Sequence, residues 1–146
     1  MTDIYSAAKR SQIMSLVRGR DTKPEKLVRS ALHRSGYRFR LHRADLPGKP
    51  DIVLPFYHTV IFVNGCFWHQ HPGCRKATIP QSNRQFWKKK LTRTLERDEQ
   101  NRSDLREMGW NIITIWECEI RNLFNATMEH VQVQLRLIGQ QGSKLG

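Results

Sequence analysis

The densest chemistry in the chain lies between residues 64 and 83. Cys66-Phe-Trp-His69-Gln-His71-Pro-Gly-Cys74 packs two thiols and two imidazoles into nine residues, and Cys118 follows much later. Three cysteines, with no apolar stretch after Met1 to suggest a secretory signal, argue against a disulfide framework. Soft thiolates with one imidazole in a tetrahedral set suit Zn²⁺. With every Cys used, the fourth ligand is His69 or His71. His71 is favoured, because the spacing C-x4-H-x2-C leaves His69 for another role. Four protein ligands leave no open position for water, so this Zn²⁺ is expected to be structural. The rival reading is three reduced, buried thiols beside two surface histidines. Catalysis needs a different centre.

Carboxylates supply one. Asp51, after Pro50, is the only acid between Asp45 and Glu96. An isolated carboxylate beside an uncharged stretch is well placed to hold a divalent cation. Pro-Asp alone is a weak motif, since Asp is common in turns. Two further acids raise its value. Glu25 stands three and seven residues before Val28 and Leu32, on the same face of a predicted helix. Asp98 falls among Trp87, Leu91, Leu105 and Met108 on the stripe of another. A buried acid needs a partner, which for Asp98 is a cation, an Arg, a backbone group or a histidine. Mg²⁺ held by one or two carboxylates would stabilise charge at a phosphodiester, and a histidine such as His69 is the side-chain type suited to the activation of water near neutral pH.

Charge points to the substrate class. The chain has 146 residues and a formal charge of +12. Residues 1–50 carry 12 Lys/Arg against 4 acids, and residues 75–110 carry 10 against 5. Residues 51–74 hold no Lys or Arg and the single acid Asp51. Two basic arms thus flank a nearly uncharged centre. Arg18, Arg20, Lys23, Arg38, Arg40, Arg43 and Lys88, Lys89 and Lys90 keep company with aromatic residues. Phosphate contact plus stacking is what nucleic acid offers. A merely solvated basic surface is the plainer alternative. The length suits one domain, and no apolar run approaches the length of a membrane span.

These residues must be positioned by elements that the pattern also outlines. Residues 6–17 read as a short helix. Pro24 opens a second, with Leu27, Val28, Ala31 and Leu32 on its apolar face and Gly36 at its end. Tyr37, Phe39 and Leu41 alternate with Arg38, Arg40 and His42, a half-buried strand. Asp51 to Leu54 is a short strand closed by Pro55. Thr59 to Val63 is more apolar and therefore central. Residues 64–83 form a long loop, which in a compact domain is usually functional. Phe86 to Met108 is one helix stopped by Gly109. Asn111 to Trp116 is a strand, Leu123 to Ile138 a helix, and residues 139–146 a frayed tail. The result is a single α/β domain over 1–146, a mixed sheet covered by helices, with residues 1–20 as a DNA-contacting N-terminal helix.

Taken together, the motifs resemble the very short patch repair (Vsr) endonucleases, bacterial enzymes that nick DNA at T:G mismatches. The likeness includes Ser11 to Met14, Arg20 to Glu25, Leu46 to Asp51, Val60 to His69, Phe86-Trp87, Glu96 to Asp98, Gly109-Trp110 and Trp116 to Cys118, spanning roughly residues 5–120 in order. The run Gly65-Cys66-Phe67-Trp68-His69 is its most specific part. The resemblance implies a restriction-endonuclease-like core and Mg²⁺-dependent hydrolysis. It makes Asp51 a ligand of the catalytic metal and His69 the general base, held near Asp98, with Glu25 positioning metal-bound water. Cys66, His71, Cys74 and Cys118 would bind the structural Zn²⁺. Met14, Phe67 and Trp68 would wedge into the base stack beside the mismatch, while Arg20, Lys23, Lys88 and Lys89 grip the backbone.

Two departures stand out. The wider nuclease superfamily carries a second acid and a Lys after the Pro-Asp. Thr59 to Val63 offers neither, so Val63 can give only its backbone carbonyl to a metal. Asn64 stands where relatives often carry His or Asp. It can hydrogen-bond a phosphate but cannot act as a base. The implied biology is repair of deaminated 5-methylcytosine by a monomer in the bacterial cytoplasm, associated with the nucleoid, with mismatch-repair proteins as expected partners. The rival functions are a zinc-stapled DNA-binding module without catalysis and a structure-specific or restriction-type nuclease on the same fold.

Overall fold

The structure, a computed structural model, describes residues 22–145. The expected N-terminal helix, with Met14, Arg18 and Arg20, lies outside the described residues.

Helix α1 (Lys23–Arg34) begins where its sequence says it should. The Thr22 hydroxyl accepts the Glu25 N–H at 3.3 Å, and Pro24 sits in the first turn, where its missing N–H costs nothing. Val28 and Leu32 are fully buried, and Glu25 shares their inward face. Gly36, at φ 88°, lets the chain reverse into Tyr37.

The half-buried strand expected over residues 37–42 is a correction. Only Arg40–Leu41 (β1) pairs, and both residues are exposed. Tyr37 and Phe39 pack on the core without joining the ladder. The partner β2 (Ile52–Leu54) is three residues long, and His42 adopts φ 47°, which turns the chain out of register. A tight turn delivers β2. Gly48, at φ 78°, follows Pro47, and the Lys49 N–H donates to the Leu46 carbonyl.

Strand β3 (Thr59–Asn64) is central, as its apolar run predicts. It pairs antiparallel with β2 and parallel with β4 (Asn111–Trp116), in the order β1-β2-β3-β4. The parallel pair requires a crossover, supplied by α2 (Arg84–Glu107). Ile52, Leu54, Ile61, Ile113 and Ile115 face α1 and the C-terminal helices, while Val53 and Val60 face Leu105 of α2 and Leu46. The sheet is therefore mixed and covered by helices on both faces, as predicted.

Three boundaries differ from expectation. Met108, placed on the inward stripe of α2, caps that helix and is half exposed. A short helix, α3 (Glu117–Asn122), precedes the last one, and its single inward residue, Ile120, is too little to register as a pattern. Helix α4 (Phe124–Leu145) runs past Ile138 into the segment expected to fray. Gly139 does not stop it. It lies against the Tyr57 ring, where a Cβ would come within 3.1 Å, so this glycine serves close packing. Among the described residues no helix is long and apolar enough to cross a membrane.

Candidate active site and metal centre

Two groups of side chains gather where β3 ends. The first joins α1 to the start of β2. Glu25 is only 2% exposed, an unusual place for a carboxylate. Arg29 approaches its Oε2 at 3.2 Å, and His42 Nε2 lies 3.0 Å from both of its oxygens. Asp51 accepts the Val63 backbone N–H at 2.7 Å. Ligand atoms of Glu25, His42 and Asp51 all lie within 4.8 Å of one another, close enough to share one cation.

Burial above all pushes the Asp51 carboxyl up to about 7, and the neighbouring Glu25 adds to this while the Val63 N–H opposes it. Two carboxylates brought together out of water repel one another, and a divalent cation between them relieves the conflict. The two carboxylates fit Mg²⁺, which prefers oxygen and takes one or two of them, whereas the His42 imidazole is not a donor it favours.

The second group follows β3 directly. His69 Nδ1 lies 2.5 Å from Asp98 Oδ2 on α2. With the carboxylate accepting, Nδ1 carries the proton and the lone pair of the neutral ring is left on Nε2. Asp98 is not the fully buried acid of an apolar stripe. Its side chain is 17% exposed, and of the partners weighed for it the histidine is the one it meets.

The cysteines converge as well. Ligand atoms of Cys66, His71, Cys74 and Cys118 lie within 4.8 Å of one another, and no disulfide links the thiols. His71 Nδ1 is 3.4 Å from Cys118 Sγ, and its ring stacks on Trp116 at 4.2 Å. His69 points to Asp98 instead. Burial, with the adjoining Cys118 and Cys74 thiols, pushes the Cys66 thiol up to about 12. Thiols so placed ionise together only with a cation among them, and an S₃N tetrahedron is the donor chemistry of Zn²⁺. The cluster ties the loop after β3 to α3, which follows β4.

Around this centre the other expected residues fall into two sets. Lys23, Lys88 and Lys89 are exposed. Asn64 is only 6% exposed, at the last β3–β4 pair opposite Trp116. The aromatic pair needs correction. The loop does not display both rings. Trp68 is only 7% exposed and packs with Phe67, Trp87 and Leu91. Burying a large ring against others outweighs leaving it wet when a neighbouring aromatic cluster is at hand. Lys90 caps this cluster, its Nζ 5.3 Å from the Trp68 ring.

Sequence reasoning missed His42 and Arg29. Arg29 had a signal, since it lies one helical turn beyond Glu25. His42 had none. Its contact depends on a left-handed backbone that no local pattern announces.

Comparison with known proteins accords with this geometry. The family model "DNA mismatch endonuclease Vsr" matches residues 2–76. A type II nicking enzyme, V.XorIIP, from Xanthomonas oryzae pv. oryzae is 48% identical over 123 residues, 84% of this chain and 90% of that protein. Another, V.NmeAIP, from Neisseria meningitidis is 47% identical over 122 residues, 84% of this chain and 86% of that one. The DNA mismatch endonuclease Vsr of Escherichia coli is 39% identical over 135 residues, 92% of this chain and 86% of its own. With a family model across half its length and relatives along most of it, this chain belongs to the Vsr family of DNA mismatch endonucleases.

Proposed function

We propose that this protein is a Mg²⁺-dependent endonuclease that nicks one strand of duplex DNA 5′ to the mispaired T of a T:G mismatch. As a member of its family it is an endonuclease acting on DNA, and the relatives named as nicking enzymes favour cutting a single strand. The observation that carries the chemistry is the acid pair Glu25 and Asp51, with Asp51 bonded to Val63 near the end of β3, beside a histidine–carboxylate pair, His69 and Asp98, on the segment that follows that strand.

In this reading Asp51, with the Val63 carbonyl, would hold the cation, and Glu25 beside it would position metal-bound water. Bound Mg²⁺ would neutralise charge building on the scissile phosphate. His69 takes a proton from the attacking water at Nε2, and Asp98 holds the ring through Nδ1 and stabilises the imidazolium. The water oxygen bonds to phosphorus and the P–O3′ bond breaks, which leaves a 5′-phosphate and, once protonated, a 3′-hydroxyl. Lys23, Lys88 and Lys89, with Arg20, grip the backbone, and Asn64 offers a neutral donor to a phosphate.

Met14, Phe67 and Trp68 act as the wedge at the mismatch. Trp68 must then leave its cluster, and base stacking replaces the rings it gives up. The Cys66, His71, Cys74 and Cys118 set holds structural Zn²⁺. The sheet and its flanking helices are compatible with a restriction-endonuclease-like core. The wider proposal is a monomeric bacterial enzyme of the cytoplasm, working at the nucleoid in repair of deaminated 5-methylcytosine, with mismatch-repair proteins as partners.

The test is nicking of a T:G duplex against the same duplex with T:A, with and without Mg²⁺. Equal cutting of both duplexes would overturn the mismatch reading. Asp51→Ala that nicks as fast as wild type would overturn the catalytic assignment and favour a zinc-stapled binding module.

A further inference from the structure

We propose that His42 is a positioning residue: it clamps the helix-borne Glu25 to Asp51, which stands just before β2, and so sets the geometry in which the two carboxylates receive the cation and its bound water. This rests on the metal-dependent reading above. His42 touches both acids through different groups. Its Nε2 lies 3.0 Å from each oxygen of Glu25, and its backbone N–H donates to the Asp51 carbonyl at 3.3 Å.

Arg29 also approaches Glu25, but it cannot do the same work. It is four residues on in the same helix, so it moves with Glu25; its charge acts on Glu25 and on Asp51, but it does not come from the sheet side. His42 comes from the sheet side, 17 residues along the chain from Glu25. It therefore fixes the distance between α1 and β2. Mg²⁺ demands near-octahedral geometry at roughly 2.0–2.1 Å from its oxygens, so small errors in carboxylate placement are costly. Mg²⁺ also prefers oxygen to imidazole, which leaves the His42 ring as a hydrogen-bond donor to the carboxylate and not a ligand.

The backbone supports the same role. His42 has φ 47°, in the left-handed region that non-glycine residues seldom occupy. Such conformations persist where the surroundings over-determine them, and they gather at functional sites. Here the residue leaves the β1 ladder, and its ring, only 13% exposed, comes to rest against Glu25.

Two variants separate clamping from packing. His42→Asn tolerates the left-handed backbone but is too short to reach Glu25. His42→Gln restores a reaching N–H donor. Outer partners of metal ligands typically contribute roughly 10–100-fold to metal affinity or activity. In the full-length protein, His42→Asn is expected to weaken calorimetric binding of Mg²⁺ alone about tenfold or more. Its kcat on the T:G duplex falls similarly while KM for DNA holds, and His42→Gln recovers most of both losses. In the metal-free protein, His42→Asn lowers Tm less in a Glu25→Gln background than in wild type.

Wild-type Mg²⁺ affinity and kcat in His42→Asn, equal losses in the Asn and Gln variants, or additive Tm changes would each overturn the clamp. A wild-type protein that neither binds Mg²⁺ nor nicks DNA would sink the metal-dependent reading instead. The metal-free Tm cycle would then still decide whether His42 holds Glu25.

Discussion

Replacing Asp51 by Asn should make the metal-free protein more stable at pH 8 while abolishing its activity. The carboxyl is raised from 3.8 to about 7, chiefly because it is buried and secondly because Glu25 lies beside it. An acid whose pKa is raised by folding contributes its stability below its unfolded value, and that contribution is lost as pH rises through the folded one. The loss is complete above pH 7, where the fold must hold a buried charge. A change from 3.8 to about 7 corresponds to about 4 kcal/mol at roughly 1.4 kcal/mol per pH unit. Asn keeps an oxygen for the Val63 N–H at the same place and removes the charge. For a chain of this size, each kcal/mol is worth about 2–4 °C in Tm, so a gain on the order of 10 °C is expected at pH 8.

Thermal unfolding with chelator present would measure this. The advantage of Asp51→Asn should shrink to under about 2 kcal/mol at pH 5, where the folded wild-type carboxyl is already protonated. Saturating Mg²⁺ at pH 8 should also narrow it, because a cation bound only to the folded wild type adds about 2.7 kcal/mol at one hundred times its Kd. A variant no more stable than wild type at pH 8, or an advantage that grows toward acid pH, would refute the account of Asp51 as a buried charge awaiting a cation.

Other consequences follow from the same geometry. His69→Ala should lower kcat by roughly 10²–10⁴-fold, and Asp98→Asn by less, with DNA affinity unchanged in filter binding. Loss of binding in step with rate would count against the general-base assignment. The purified protein should carry close to one equivalent of Zn, and Cys118→Ala should lose it together with the order of the loop after β3. Less than about half an equivalent in wild type would argue against the metal. Replacing Lys88 and Lys89 together by Ala should flatten the salt dependence of DNA binding by up to about two phosphate contacts, equally for matched and mismatched duplexes. An unchanged salt slope would place the backbone grip elsewhere.

How much could be read in advance depended on how local the signal was. The strand at 59–63 is apolar enough to demand a central place, Pro24 marks the start of a helix, and Gly36 and Gly109 mark turns that only a few backbone conformations satisfy. The cysteine spacing likewise carries its own geometry, because tetrahedral coordination admits few arrangements of nearby thiols. Misreadings came where a competing long-range contact won. Residues 37–42 alternate like a strand, yet β2 is too short to pair with them all. Residues from Gly139 on read as a frayed tail, yet the helix continues and Gly139 serves packing against Tyr57, far away in sequence.

By itself, the sequence determined the composition of this site: acids and a histidine pair at the edges of an uncharged segment, basic arms on either side, and thiols at metal spacing. Residue type and short spacing settle such things because chemistry and secondary structure are local. Only the tertiary structure decided who faces whom. It brought His42 to Glu25 through one left-handed residue and tucked Trp68 into an aromatic cluster. These outcomes rest on distances between residues far apart along the chain. Such distances are set by how helices pack on the sheet, a collective balance of burial and hydrogen bonding that no single stretch of sequence contains.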